Sequence, residues 1–309
     1  MLTPASVDAE SAGGALRRQM RLGGLIAFAG VYDVFSAGLA ARRFESLFLS
    51  GFGFAASYYG LPDVGFIAWP DMVGFLERVR TVLPRHHLLV DIDDGYCDVE
   101  VACHVVSRME RAGASGVVLE DQRRPRRCGH FDGKQIMDLG EFLWKLDRVL
   151  ATRRDLVVVA RTDASEPEEA ARRIRAFAAA GADAVLVDGV QSLAAVQWLA
   201  AQVDCPLTFN QIAGGKSPAC THAELRDAGV SLMIYSTPCL FAAQEGIERA
   251  LDEIAASGGR LPEAGNGHVG VPDCTRVLQD NLARRDTTAP ASAVSTAPVS
   301  GTAGTARPA

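Results

Sequence analysis

Eight short apolar runs alternate along the chain with stretches of helical periodicity, and this alternation limits the possible fold more than any other feature. The runs are residues 25–28, 47–49, 88–90, 117–119, 156–159, 184–187, 206–209 and 232–235. Between most of them lie segments with the period of amphipathic helices, such as 99–111 and 166–179. Eight such units predict a single-domain α/β protein, a (β/α)8 TIM-type barrel. An open doubly wound sheet is the alternative, but no GxGxxG motif follows the first run.

Glycines mark the predicted ends of three helices. Gly113, Gly181 and Gly229 each follow an alanine and precede an apolar run, where glycine suits the left-handed conformation that ends a helix. At the start of the helix near residue 166, Ser165 has capping-box spacing to the glutamate three residues later, and Pro167 lies in the first turn.

The two ends of the chain differ in composition from its middle. We expect residues 1–18 to form a variable N-terminal segment and residues 19–280 to form the catalytic barrel with its C-terminal helices. Residues 281–309 are predicted to be a disordered tail, because from Asp286 onward nearly every residue is Ala, Thr, Pro, Ser or Gly. Such a segment buries too little apolar surface to offset its ordering entropy. We interpret it as a linker.

Charge and composition argue against several classes of protein. The net charge of −6, from 31 Lys and Arg against 37 Asp and Glu, disfavours a nucleic-acid binder. No apolar run approaches the length of a transmembrane helix, and the N-terminus lacks the apolar core of a secretory signal. Seven cysteines without CxxC spacing suggest neither disulfides nor zinc, so we expect a cytoplasmic protein.

Polar or ionisable residues follow the ends of the apolar runs. In a barrel all these ends lie at one face, where active sites are assembled from several strands. Solvated loops explain one or two such coincidences but explain eight poorly, so the pattern predicts an enzyme. The residues are Asp33, Ser50, Gly51, Asp91 to Asp94, Glu120 to Gln122, Arg161 to Asp163, Asp188, Asn210, Gln211, Ser236 and Thr237.

Three of these carboxylates indicate a metal site. Asp91, Asp93 and Glu120 come from adjacent predicted strands, and their like charges would raise one another's pKa unless a cation were present. Hard oxygen ligands suit Mg²⁺, or alternatively Mn²⁺, with waters and substrate oxygens completing the octahedron. The competing interpretation is that these side chains cap helices or face solvent.

Residues 122–130 contain four arginines, a cysteine and a histidine. The arginines suit bidentate binding of anionic substrate oxygens. Their positive field would favour the thiolate of Cys128, which makes this residue a candidate acid or base near neutral pH. Gly129 and Gly133 would let the segment move as a lid. A basic surface loop with an incidental cysteine is the alternative.

In their order along the chain, these motifs resemble the isocitrate lyase / phosphoenolpyruvate mutase superfamily over roughly residues 20–255. The motifs are SGFG at 50–53, GLPDVG at 60–65, DIDDGY at 91–96, EDQ at 120–122, RCGH at 127–130, ARTD at 160–163 and NQIAGGK at 210–216. The resemblance implies a Mg²⁺-dependent barrel that acts on small α-keto or α-hydroxy carboxylates. It also implies a homo-oligomer, either a dimer or a tetramer.

The resemblance assigns roles residue by residue. Asp91 and Asp93 match the metal-binding pair, and Glu120 matches an outer carboxylate that holds metal-bound waters. Among the expected catalytic residues, Arg161 lies on the oxyanion side, Cys128 protonates the departing enolate, and His130 belongs to the same Cys-Gly-His motif. The residues expected to bind substrate are Ser50, Gly51, Phe52, Asp63, Arg127, Gly129, Asp188 and Asn210.

The implied reaction cleaves a C–C bond in the retro-aldol sense, as in methylisocitrate lyase, oxaloacetate hydrolase and dimethylmalate lyase. Carboxyphosphonoenolpyruvate mutase also carries the Cys-Gly-His loop, so an enzyme of phosphonate metabolism (a mutase or phosphonopyruvate hydrolase) is the alternative. A catalytically silent binding protein is a third hypothesis.

Departures from the family pattern bear on the substrate. Asp188 stands where the lyases have glutamate, and Arg126-Arg127 stand where their loop begins with lysine. Residues 236–241 are neutral where methylisocitrate lyase has an arginine for a third carboxylate. A dicarboxylate of the oxaloacetate or alkylmalate type is therefore favoured over a tricarboxylate.

Overall fold

The structure, a computed structural model, describes residues 10–127, 133–263 and 268–285. Within them, parallel strands form a closed barrel in sequence order, and the first strand pairs with both the second and the eighth. The predicted (β/α)8 barrel is confirmed, with a strand at each of the eight apolar runs. The strands are β1 (Ile26–Val31), β2 (Ser46–Leu49), β3 (His87–Asp91), β4 (Gly116–Glu120), β5 (Val157–Thr162), β6 (Ala184–Val187), β7 (Leu207–Gln211) and β8 (Val230–Tyr235).

Helices connect successive strands around the barrel, and a π-helical turn (Ala55–Tyr59) lies between the third and fourth helices. None of the helices in the described part of the chain is both long and apolar enough to span a membrane. The helices are α1 (Ala12–Leu22), α2 (Val34–Ala40), α3 (Gly51–Phe54), α4 (Trp69–Val82), α5 (Val99–Arg111), α6 (Leu139–Thr152), α7 (Pro167–Ala179), α8 (Leu193–Ala200), α9 (His222–Asp227), α10 (Pro238–Ala256) and α11 (Val271–Arg285).

The ends of the helices show which of the predicted capping residues are correct. Gly113, Gly181 and Gly229 have φ of +90°, +95° and +87°, so the three glycine caps are confirmed. The predicted cap by Ser165 is wrong. Glu166 is the N-cap of α7, its backbone is extended, and no side chain caps the helix. Pro167 occupies the first helical position as predicted, where its missing N–H needs no partner.

Two apolar layers stabilise the barrel. The inner layer fills the barrel, and the outer layer lies between the strands and the helices. Because both faces of each parallel strand are covered, the strands read as continuous apolar runs rather than alternating ones. Inner-layer residues include Phe28, Phe48, Leu89, Val118, Val157, Val159, Leu186 and Ile234.

Helix α1 covers the amino-terminal end of the barrel. Its Leu16 is fully buried and belongs to the inner layer, and Arg17 forms ion pairs with Asp155 and Asp183, which precede β5 and β6. The predicted boundary between residues 18 and 19 therefore falls inside a helix that packs on the barrel. Residues 286–309, most of the predicted tail, lie outside the described residues.

Candidate active site

The carboxyl ends of the strands converge at one end of the barrel. Asp91 is the last residue of β3 and Glu120 is the last residue of β4, while Arg161 lies one residue before the end of β5. Glu120 and Arg161 are partners in the β4–β5 register. The parallel register therefore explains why residues far apart in sequence meet at this face.

The loop that follows β3 returns Asp93 to the site. Asp93 has a φ of +52°, in the left-handed region, and its backbone N–H donates to Oδ1 of Asp91 at 3.3 Å. Its carbonyl accepts a hydrogen bond from the backbone N–H of Glu120 at 2.9 Å. These bonds fix Asp93 between β3 and β4, so that both aspartates face the same site.

Lys145 of α6 ties this loop to the outer helices. Its buried ammonium donates to the carbonyl of Asp94 at 2.8 Å and to the carbonyl of Cys97 at 2.9 Å. Within the loop, Tyr96 and Cys97 also have positive φ, +63° and +111°. Such conformations are strained for residues other than glycine. The two hydrogen bonds from Lys145 therefore help to hold a strained loop in place.

Arg126 inserts its guanidinium among the carboxylates that surround the site. We call Asp63, Asp91, Asp93 and Glu120 the carboxylate cluster. Nε of Arg126 lies 2.6 Å from Oε1 of Glu120, Nη1 lies 3.2 Å from Oδ1 of Asp63, and Nη2 lies 2.9 Å from Oδ1 of Asp93. The arginines of this segment were expected to bind substrate oxygens. In the structure Arg126 instead neutralises protein carboxylates.

Arg161 is the second buried cation of the site. It binds Asp163 bidentately, at 3.0 Å from both Nε and Nη2, and Nη2 lies 2.9 Å from Oδ2 of Asp188. Glu120 is more distant, with Oε2 3.4 Å from Nη2, and Lys134 also contacts Asp163, at 2.9 Å. This bidentate contact fixes the plane of the guanidinium, which suits the orientation of a planar carboxylate substrate.

Asp188, Asn210 and Ser236 form a hydrogen-bonded chain across β6, β7 and β8. Nδ2 of Asn210 donates to Oδ1 of Asp188 at 2.8 Å, and Oγ of Ser236 donates to Oδ1 of Asn210 at 2.6 Å. All three residues are buried. The chain fixes the orientation of the Asn210 amide, which the sequence alone leaves undetermined.

The segment from Ser50 to Phe52 closes the site on the side of β2. Oγ of Ser50 caps α3 by accepting from the N–H of Gly53 at 3.1 Å. A Cβ at Gly51 would lie 3.0 Å from Oδ2 of Asp91, so glycine is needed for this close approach. Phe52 packs edge-to-face against Phe241, with ring centroids 6.4 Å apart.

Burial dominates the electrostatics of the cluster. It raises the pKa of Asp91 and, more strongly, that of Asp93. It also raises the pKa of Glu120 to about 7, although Arg126 opposes the shift. The pKa of Asp163 is lowered instead, because Arg161 and Lys134 together outweigh its burial. Burial therefore disfavours the charged form of the carboxylates in the cluster, whereas the two cations beside Asp163 stabilise its charged form.

The chemistry of the cluster fits a small divalent cation. Its donors are hard carboxylate oxygens, and Oε2 of Glu120 is buried without a hydrogen-bond partner. Among the residues that the structure describes, no three His, Cys, Asp or Glu side chains are arranged to hold one ion together. Mg²⁺, however, usually takes only one or two protein carboxylates and completes its octahedron with waters and substrate oxygens.

A small cavity of about 30 Å³ lies between these side chains. A second cavity of about 420 Å³ lies between α7 and α8 and shares Asp188 with the first. The predicted site residues that line the small cavity are Ser50, Phe52, Asp63, Asp91, Arg161, Asp188 and Asn210, and Arg126 lines it too.

Not every predicted residue is brought to this cavity. Arg127 is exposed, and its backbone N–H and carbonyl bind the side-chain amide of Gln122 at 3.0 and 2.8 Å. Cys128, Gly129 and His130, the predicted acid and its neighbours, lie outside the described residues.

Two side chains that contact the site or its loops, Arg126 and Lys145, do not stand out in the sequence as site residues. Arg126 was grouped with three other arginines, and nothing in the sequence distinguishes the buried member of that segment. Lys145 lies on the buried face of α6. A lysine at a position where the helical pattern calls for an apolar residue was the sequence feature that could have identified it. Asp163 and Ser236, by contrast, were found because they follow strands.

Comparisons with known proteins identify the family and the fold. The sequence model of the family described as phosphoenolpyruvate phosphomutase matches residues 16–255. The chain is 32% identical to the 2-methylisocitrate lyase of Aeropyrum pernix over 253 residues, which cover 81% of this chain and 82% of that one.

Two solved structures show the same fold at substantial coverage. A 2,3-dimethylmalate lyase superimposes with a TM-score of 0.82 at 27% identity, over 88% of this chain and 94% of that one. An oxaloacetate acetylhydrolase bound to 3,3-difluorooxalacetate has a TM-score of 0.83 at 31% identity, over 88% and 95%. The resemblance inferred from the motifs is therefore confirmed, and the chain belongs to the phosphoenolpyruvate phosphomutase family of the isocitrate lyase / phosphoenolpyruvate mutase superfamily.

Proposed function

We propose that the protein is a Mg²⁺-dependent carbon–carbon lyase or hydrolase. Its substrate is a small 2-hydroxy or 2-keto dicarboxylate of the oxaloacetate or alkylmalate type, cleaved through an enolate. The observation that carries the proposal is the meeting of Asp91, Asp93 and Glu120 with Arg161 at the carboxyl end of the barrel. The relatives named 2-methylisocitrate lyase, 2,3-dimethylmalate lyase and oxaloacetate acetylhydrolase support it.

Asp91 and Asp93 would hold the cation, Mg²⁺ or alternatively Mn²⁺, and Glu120 would orient its waters. The cation supplies positive charge that lowers the energy of a developing alkoxide or enolate. Burial raises the pKa of Glu120 to about 7 in the metal-free protein, and a bound cation would lower it and favour the carboxylate form that accepts hydrogen bonds from metal-bound waters.

The other side chains bind and orient the substrate. Ser50 and the backbone amides of Gly51 and Phe52 would bind one carboxylate at the start of α3. Arg161, held in plane by Asp163, would face the oxygen on which negative charge develops. Fixed donors stabilise such charge without reorganising during the reaction.

The proton that ends the reaction comes, in this proposal, from Cys128, with His130 beside it in the same motif. Support for these two roles is the sequence motif, together with the position of Arg126 inside the site. A cysteine near several arginines has a lowered thiol pKa, which suits proton transfer near neutral pH.

The charge of the site favours a dicarboxylate over a tricarboxylate. Ser236 and Thr237 are neutral and buried where a third substrate carboxylate would need a cation. Asp188 is paired with Arg161 and Asn210, so those two groups are already engaged and do not offer a free cation to an additional carboxylate.

A coupled assay with Mg²⁺ across oxaloacetate, 2-alkylmalates, 2,3-dimethylmalate, methylisocitrate and phosphonopyruvate tests the proposal. We expect cleavage of one of the dicarboxylates and complete loss of turnover with EDTA. Cys128→Ser should abolish turnover, whereas the matched control Cys274→Ser, on α11, should not. Full activity without a divalent cation would contradict the metal assignment.

A phosphonate-metabolism enzyme is the second candidate, because the matching family model is described by a phosphomutase. ³¹P NMR with phosphoenolpyruvate and phosphonopyruvate separates the two. A new phosphorus resonance that forms at catalytic rates would replace the C–C assignment with P–C chemistry.

We also propose a cytoplasmic homo-oligomer. Among the described side chains of α10 none is buried, and Ile247 and Leu251 expose 59% and 61% of their surface. Apolar helix faces of this kind are usually covered by a partner subunit. Size-exclusion chromatography with light scattering measures the oligomeric state directly.

A further inference from the structure

Arg126 lies inside the carboxylate cluster, whereas its neighbours in the arginine-rich segment lie at the surface. The side chain of Arg126 is 2% exposed, compared with 51% for Arg123 and 37% for Arg124. Burial of a guanidinium is unfavourable unless carboxylates pair with it, and Arg126 has three such partners. Its position is therefore set by the cluster.

Two of the three carboxylates that hold Arg126, Asp93 and Glu120, are ones that the proposed function needs for the metal and its waters. Nη2 is 2.9 Å from Oδ1 of Asp93, and Nε is 2.6 Å from Oε1 of Glu120. Mg²⁺ binds carboxylate oxygens at about 2.0–2.1 Å. A metal ion on Asp93 and a guanidinium on the same carboxylate would be close like charges in a buried site, where repulsion is weakly screened.

Arg126 can make way for a metal ion only if its side chain moves. A guanidinium stays protonated in proteins, so the competition is not relieved by loss of a proton. Arg126 also forms part of the wall of the small cavity between these side chains. For a metal ion to bind Asp93 without a guanidinium on the same carboxylate, the side chain of Arg126 has to leave the cluster.

We propose that Arg126 is an internal counter-ion that competes with the divalent cation for the carboxylate cluster. Its guanidinium stabilises Asp63, Asp93 and Glu120 in the metal-free protein and is displaced when the metal binds. The inference rests on the proposed metal dependence and adds to it a residue that sets metal affinity. Arg161 does not share this role, because its guanidinium is held at 3.0 and 2.9 Å by Asp163 and Asp188 and reaches the cluster only through a longer contact of 3.4 Å with Glu120.

The direct test is a titration of the full-length protein with Mn²⁺. Binding is measured as the loss of the electron paramagnetic resonance signal of free Mn²⁺. Arg126→Gln removes the competing charge but keeps a hydrogen-bond donor for Glu120. Loss of a residue that supports a metal ligand typically weakens metal binding by roughly 10- to 100-fold, whereas loss of a competing positive charge should strengthen it by a comparable factor. We expect Arg126→Gln to lower the Kd for Mn²⁺ by that factor.

Arg123→Gln is the matched control, because Arg123 belongs to the same segment but pairs with the exposed Glu141 at 2.7 Å. Its Kd for Mn²⁺ should equal that of the wild type. An unchanged or raised Kd in Arg126→Gln overturns the inference while leaving the metal site intact. If neither the wild type nor Arg126→Gln binds Mn²⁺, the proposed metal dependence fails as well.

Hydrogen exchange on the wild type provides a second test that needs no variant. Mg²⁺ alone should increase backbone exchange in residues 123–127, because Arg126 then loses its three ion pairs. If Mg²⁺ leaves the exchange rates of this segment unchanged or lowers them, Arg126 is not displaced. This measurement decides the question even if Arg126→Gln does not fold.

Discussion

The two hydrogen bonds from Lys145 to the loop after β3 provide a sharp test of how the site is held. Lys145→Met keeps the volume and the apolar stem of the side chain but removes both donors. The buried carbonyl of Asp94 then loses its partner, while that of Cys97 is partly exposed and can bind water. Asp93 precedes this pair in the same loop, so its position should change too.

The magnitude follows from these two contacts. A hydrogen bond from a charged group contributes roughly 1.5–3 kcal/mol. Solvation of the Cys97 carbonyl in the variant recovers part of one bond. Burial also lowers the pKa of Lys145, which means that the ammonium is itself destabilised by desolvation. We therefore expect the free energy of unfolding to fall by about 2–3 kcal/mol.

Urea unfolding of the metal-free protein, followed by circular dichroism, measures this loss. Arg148→Met is the matched control on the same helix, because Arg148 pairs with Glu100 at 3.0 Å with both side chains largely exposed. Exposed pairs contribute about 0–1 kcal/mol. Activity at urea-free conditions should fall in Lys145→Met only, through kcat. A Lys145→Met midpoint equal to that of Arg148→Met would refute the reasoning.

Three further predictions concern other parts of the molecule. Gly51→Ala should change the unfolding free energy by less than about 1 kcal/mol. It should nevertheless reduce activity and Mn²⁺ affinity, because the new Cβ would lie 3.0 Å from Oδ2 of Asp91. Activity equal to that of the wild type would contradict the importance of this close approach. Burial lowers the pKa of His86 to about 4, so below pH 6.5 the unfolded chain binds a proton that the folded chain does not, and stability falls by up to about 3 kcal/mol towards pH 4. His86→Gln should remove the contribution of His86 to this pH dependence, which urea midpoints at pH 7 and pH 4.5 measure. If the stability difference between the variant and the wild type were the same at both pH values, the assignment to His86 would be wrong. Asp188→Glu should raise KM for alkyl-substituted substrates more than for oxaloacetate, since the longer side chain narrows the cavity; steady-state kinetics on both substrates decides.

Much of the fold could be predicted because its signals are local. The strands are buried on both faces, so each appears as an apolar run, and α5 begins and ends at the predicted residues, Val99 and Arg111. The helix start near Ser165 could not be predicted from spacing, because the extended backbone of Glu166 lets the chain enter the helix one residue later.

The residues of the candidate site also fall into those that local sequence signals predict and those that depend on tertiary packing. Asp91, Glu120 and Arg161 were predicted because they end strands, and the parallel register then brings them together. The partner of Arg126 depends on the path of an irregular segment, and no local periodicity encodes it. Similarly, the contact between Lys145 and the loop after β3 joins elements about fifty residues apart, and only the packing of α6 against α5 makes it possible.

The pairing of β1 with β8 has a consequence for how the protein is made. It joins Ile26 to Leu232, so the barrel cannot close during synthesis until nearly the whole catalytic domain has left the ribosome. Until then β1 and the most recently added strand both present unpaired backbone groups, and exposed strand edges promote association with other chains. Contacts of such high sequence separation also slow folding. Expression at reduced temperature or with chaperones should therefore increase the soluble yield more than stabilising surface substitutions do.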